Sequence, residues 1–154
     1  MNKEQLLNLV VKPTLKDIKN GPSGETAIMM IIAHESLRGE YLKQYPTGPA
    51  WGLINMEEIT HDDTWENGDS IWDNALKLGI ITKEEYQAEA HPSHKRLAWD
   101  LKYNVFMARQ RLFMKQGKLP TDLKELNDYL KQYWNSIDGA AKDDSYINDY
   151  LRWS

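Results

Sequence analysis

Ala27-Ile28-Met29-Met30-Ile31-Ile32-Ala33-His34-Glu35 is the stretch whose reading decides the fold. An apolar run with no charge leads straight into a histidine and a carboxylate. Ile28, Ile31, Ile32 and Glu35 follow i, i+3, i+4, i+7 spacing, so on a helix they share one face. An ionised carboxylate gains nothing from apolar neighbours, and sequences rarely put one there without a partner or a task. Gly39, four residues on, marks the end of the helix and leaves Glu35 at the rim of a cleft. Two readings are open. Glu35 is either a surface glutamate paired with Arg38 or Lys43, or a general acid whose pKa is raised by the isoleucine face.

Upstream, Leu6, Leu7, Val10 and Val11 form a first helical stripe, which Pro13 breaks or restarts before Leu15 and Ile18. Asn20-Gly21-Pro22-Ser23-Gly24 is a loop, with Ser23 the expected N-cap of the apolar helix. Downstream, Tyr45-Pro46-Thr47-Gly48-Pro49 excludes helix, and Ala50 to Met56 reads as a short hairpin. Helix is expected again from Glu57 to about Trp65, ended by Asn67-Gly68, with Asp69 or Ser70 capping the next one. Thr82-Lys83-Glu84-Glu85 is a capping-box pattern. The longest periodic stretch, about Ser93 to Lys115, carries Leu97, Leu101, Val105, Ala108 and Leu112. Gly117 stops it. Thr121-Asp122-Leu123-Lys124-Glu125 opens another helix, and Ser145 to Trp153 forms the last. The expected architecture is one mainly α domain over residues 1–154, with a small β-hairpin inserted beside the helix that carries Glu35.

The chain has 154 residues, 27% of them charged and 41% hydrophobic, an ordinary balance for one domain with its own core. There is no cysteine, so neither disulfides nor thiolate metal sites are available. The formal net charge is -4, and no basic block exceeds two residues, which argues against nucleic acid as a partner. No signal peptide is visible and no apolar run is long enough to span a membrane, so a soluble, monomeric protein is expected.

Glu57 follows the hairpin as a second carboxylate. It is either an acidic residue at a helix N-terminus, favoured by the macrodipole, or a catalytic partner of Glu35 that activates water or stabilises an oxocarbenium-like transition state. His34-Glu35 starts like the zinc-protease helix motif, but Arg38 stands where that motif needs its second histidine. His91-Pro92-Ser93-His94 has ligand-like spacing without an acidic or cysteine partner in register. Neither a metal nor a cofactor is therefore expected. His61 with Asp62 reads as a polar patch at the end of the cleft. The aromatic residues are mostly six Trp and eight Tyr against two Phe. Such rings serve core packing and, where they flank a cleft as Trp51, Trp65, Tyr41 and Tyr45 are expected to, also suit sugar rings.

Ala33-His34-Glu35-Ser36 followed by Gly48-Pro49-Ala50-Trp51-Gly52-Leu53-Ile54-Asn55-Met56-Glu57 resembles the lysozyme-like superfamily. The match is closest to its soluble lytic transglycosylase and goose-type pattern: a Glu-Ser pair ending a buried helix, then a Gly-Leu-x-Gln-Met-like hairpin. Glu57-Glu58-Ile59-Thr60-His61-Asp62-Asp63-Thr64-Trp65, Leu101-Lys102-Tyr103 and Ala108-Arg109 look like a group of bacteriophage and prophage members. The resemblance spans roughly positions 11 to 135. It implies cleavage of the β-1,4 bond between N-acetylmuramic acid and N-acetylglucosamine in peptidoglycan, with Glu35 as catalytic acid/base. Ser36, Tyr41, Trp51, Gly52, Asn55, Thr60, His61 and Tyr103 are the substrate contacts it suggests. The chain departs from the pattern at Asn55, where a glutamine is usual, at Glu58, where proline is common, and at Gln110-Arg111-Leu112-Phe113, which replaces a His-Tyr pair.

Three functions compete on this reading. The first is a phage-type muramidase or lytic transglycosylase, stored in the host cytoplasm before reaching the wall or carried by the virion. The second is an inactive lysozyme-like phage structural or assembly protein. The third is a chitinase-like inverting glycosidase using Glu35 and Glu57.

Overall fold

A computed structural model describes residues 1–18, 20–134 and 143–154. The chain is mainly helical, and two helices form its centre. The first of these, α3 (Pro22–Glu35), is buried at every position from Ala27 to Ala33. That accounts for the uniform apolar run better than a single stripe does, because a helix wrapped by neighbours needs no polar face. Each buried isoleucine there contributes about 1.5–3 kcal/mol. The helix starts two residues earlier than the Ser23 cap predicts. Gly21, at φ 86°, turns the chain in and Pro22 takes the first helical position, where its missing N–H costs nothing.

The second central helix, α7 (Leu101–Phe113), is buried continuously from Tyr103 to Gln110. The periodic stretch that predicted it is split. Asp100 accepts from the Tyr103 N–H at 3.0 Å and starts α7, while a separate 3-10 turn occupies His94–Ala98. An aspartate able to cap outweighs continuing periodicity.

Around this pair pack the N-terminal elements α1 (Lys3–Leu6), a π-turn (Leu7–Val11) and α2 (Lys12–Leu15), which run on without a break. Pro13 lies inside this segment; the wider π register passes beneath it, so the expected break does not occur. On another side are α4 (Glu58–Asn67), α5 (Ile71–Lys77) and α6 (Lys83–Gln87), the last opened by the Thr82/Glu85 capping box. The final pair, α8 (Leu123–Tyr133) and α9 (Ser145–Leu151), closes over α3. Among the described residues no helix is long and apolar enough to cross a membrane.

The expected β-hairpin is not formed: the described residues hold no strand. Residues 43–56 contain only two isolated antiparallel bridges, Lys43 with Trp51 and Trp51 with Met56. Trp51 spends its pairing on both neighbours at once, and Glu57 is already the N-cap of α4, so no residue remains to lengthen a ladder. What survives is a tight loop closed by reciprocal 3.0 Å bonds between the Trp51 and Met56 backbones.

Candidate active site

Glu35 is the last residue of α3, and the chain reverses immediately after it. Ser36 ends the helix, its buried Oγ donating to Ile32 O at 3.0 Å and accepting from Gly39 N at 3.1 Å. Leu37, Arg38 and Gly39 then take successive left-handed conformations. The turn points the Glu35 carboxyl out of the core and toward the loop of residues 52–55.

That loop is held by two special backbone positions. Gly52 has φ 87°, and a Cβ there would collide with the Asn104 side chain and meet Leu97 O at 2.8 Å. Asn55 sits at φ 51°, a conformation asparagine tolerates better than most residues. The two backbones are joined by the Asn55 N–H donating to Gly52 O at 3.1 Å. Asn55 thereby joins Glu35 in lining the same cleft.

A cleft of about 250 Å³ opens in front of the carboxyl, lined by His34, Glu35, Tyr41, Tyr45, Gly52 and Asn55 together with Leu37, Lys43 and Gln44. Tyr41 and Tyr45 stack at 4.4 Å on its wall. Among the described residues Glu35 is the only carboxylate of this lining. Its pKa is raised, chiefly because burial penalises the charged form; the Tyr146 hydrogen bond, the nearby His34 and the Asn55 amide oppose this without reversing it.

Tyr146 is the participant that sequence reading missed. Its hydroxyl donates to Glu35 Oε1 at 2.8 Å across 111 positions of chain. The ring lies 4.6 Å from His34, and His34 Nδ1 meets Asp149 Oδ2 at 2.8 Å. Buried Asn127 of α8 holds the other end of α9, accepting from Ile147 N at 2.9 Å and donating to Asp143 O at 2.8 Å. The only sequence signal was a tyrosine in the last amphipathic segment, one of eight such residues. Arg38 is drawn to Asp149 at 3.8 Å and Lys43 lies over the Trp51 ring at 4.9 Å, so neither of the surface partners considered for Glu35 takes that place.

The remaining expected contacts are distributed elsewhere. Ser36 is interior and shapes the turn. Trp51 is half-buried beneath Lys43 and outside the cleft lining. Thr60 lies in the first turn of α4, its carbonyl accepting from the Thr64 hydroxyl. Glu57 is exposed and does not line the cleft. His61 and Tyr103 are wholly buried, so His61 is no surface patch: its Nε2 lies 2.6 Å from the Tyr103 hydroxyl, which also accepts from Trp65 Nε1 at 2.9 Å. Burial lowers the His61 pKa and raises that of Tyr103. His61, Asp62 and His91 offer one ligand atom each, all within 4.8 Å of one another, and are the described residues best placed to hold a metal ion.

Comparison with protein-family models, curated proteins and solved structures finds no match to this chain.

Proposed function

We propose that this chain is a peptidoglycan-cleaving glycosidase of bacteriophage type, cutting the β-1,4 bond between N-acetylmuramic acid and N-acetylglucosamine with Glu35 as general acid/base. The observation that carries the reading is a carboxyl group that faces an open cleft beside Asn55 and whose pKa burial raises. A protonated carboxyl is what departure of a sugar oxygen requires.

The cleft lining favours intramolecular attack over hydrolysis. A hydrolase of the common two-carboxylate type needs a second acid near the scissile bond, and among the described residues none besides Glu35 lines this cleft. With one acid, Glu35 gives its proton to the departing O4 as the C1–O4 bond breaks. The O6 hydroxyl of the same muramic residue attacks C1 and returns its proton to Glu35. The products are a 1,6-anhydro sugar and a new 4-hydroxyl end, and the carboxyl is regenerated without water. Asn55 and Tyr146 hold the carboxyl in line during both transfers. An inverting pair with Glu57 gains no support from an exposed side chain outside the cleft.

Mass spectrometry of fragments released from purified peptidoglycan tests the proposal. Anhydro-muropeptides from the wild type and none from Glu35→Gln are the expected result. Equal release by the variant overturns the role of Glu35, and reducing-end products overturn intramolecular attack. No release by a folded wild type favours an inactive lysozyme-like protein.

A further inference from the structure

Three of the four histidines in the chain converge at a place remote in sequence from Glu35. His61 and Asp62 lie in the first turns of α4, while His91 belongs to the segment between α6 and the 3-10 turn and His94 opens that turn. The His61 ring is 5.6 Å from that of His91 and 5.5 Å from that of His94. From the sequence, His91 and His94 lacked an acidic partner; the fold supplies one in Asp62.

We propose that His61, Asp62 and His91 form a binding site for a divalent transition-metal ion of the zinc class, which fastens the segment around His91 to α4. This does not depend on the glycosidase reading.

Four observations carry it. First, one ligand atom from each residue lies within 4.8 Å of the other two. A tetrahedral site with metal–ligand distances of about 2.0–2.2 Å places such atoms roughly 3.3 Å apart, so closure needs only a small movement of the exposed partners. Second, His91 Nδ1 lies 2.7 Å from the Pro92 carbonyl, an acceptor only. Nδ1 therefore holds the hydrogen and Nε2 keeps its lone pair, the arrangement by which proteins orient histidine ligands.

Third, the rings are fixed before any ion arrives. His91 stacks on buried Trp65 at 5.4 Å and 13°, and His61 is braced by the Tyr103 hydroxyl at 2.6 Å. His61 Nδ1 faces Asp62 Oδ1 at 2.8 Å. A metal ion replaces the proton shared there, and Nε2 then donates to the Tyr103 oxygen. Fourth, the site is reachable. The Asp62 side chain is 49% exposed, and His91 borders an open groove of about 590 Å³ whose other walls include Glu66 and Glu89. Their charge draws cations toward it. Two imidazoles and one carboxylate suit zinc, cobalt or nickel better than magnesium or calcium, which prefer all-oxygen sites.

The test is calorimetric titration of the metal-stripped full chain with ZnCl₂, paired with the visible spectrum of the Co²⁺ form. One ion per chain is expected, with the intense absorption of four-coordinate cobalt. His91→Ala and Asp62→Asn, both at accessible positions, should each weaken binding at least tenfold, while His34→Ala leaves it unchanged. A hundredfold excess of zinc over Kd should raise the wild-type Tm by roughly 5–10 °C and leave His91→Ala unmoved. Absence of saturable binding below 1 mM (about the weakest affinity of interest) overturns the proposal. So does equal affinity in the wild type and both ligand variants, or equal weakening in His34→Ala.

Discussion

The Glu35 cleft and the His61 cluster are built from the same ingredients and treat them in opposite ways. Each has a titratable group at an end of a helix, a tyrosine hydroxyl braced against it, and surroundings that strip away water. At Glu35 desolvation drives the carboxyl toward holding its proton; at His61 it drives the imidazole toward releasing one. In both groups burial disfavours the charged form. The tyrosines differ too. Tyr146 touches a group open to the cleft, whereas Tyr103 is sealed among Trp65, Phe106 and His61. On the proposed function the first tunes the acid, while the second joins buried side chains of the interior.

That contrast can be broken most sharply at Glu35. Glu35→Gln should lower muropeptide release by about 10²- to 10⁴-fold, the usual worth of a general acid, while circular dichroism stays unchanged. Tyr103→Phe acts on the other region: it strips the buried His61 Nε2 and Trp65 Nε1 of a shared partner. A loss of roughly 2–3 kcal/mol in chemical denaturation is expected, with no displacement of the pH–activity profile. Gly52→Ala should cost roughly 2 kcal/mol through its left-handed backbone and the collision with Asn104. It should also depress activity, since the same turn aims Asn55.

Tyr146→Phe is the counterpart of Tyr103→Phe and should do the reverse. Its hydroxyl favours the charged carboxylate, so removing it raises the Glu35 pKa further. The alkaline limb of activity then moves to higher pH, with a rate change of no more than about tenfold and a stability loss of about 1 kcal/mol. A profile that stays fixed would break the comparison.

The smallest effect is a linkage. Glu35 has a folded pKa above its unfolded one, so its contribution to stability is fully present below about pH 4.3. That contribution is lost as pH rises through the folded value. The denaturation midpoint of Glu35→Gln relative to wild type should therefore climb with pH across this window. A flat difference would mean that the carboxyl is not desolvated.

Much of the helical order was legible because its signals are local. The apolar run at Ala27–Ala33, the Thr82/Glu85 capping box and the stop at Asn67-Gly68 each act within a turn or two of chain. The hairpin was misread for a related reason: turn residues were present, but a strand exists only when a partner extends beside it, and α4 begins too soon. The break at Asp100 was missed because a cap competes with periodicity inside the same stretch.

Taken alone, the sequence determined that Glu35 ends an apolar helix and that a turn-rich segment follows it. Periodicity and turn chemistry are properties of neighbouring residues, and they need no fold to be read. Tertiary structure decided the rest: that Tyr146 reaches Glu35 across 111 positions, that Glu57 stays outside the cleft, and that His61 and Asp62 acquire His91. These depend on how α9 docks on α3 and how the His91 segment folds over α4. Such docking is set by the summed burial of many side chains, none of which announces its partner.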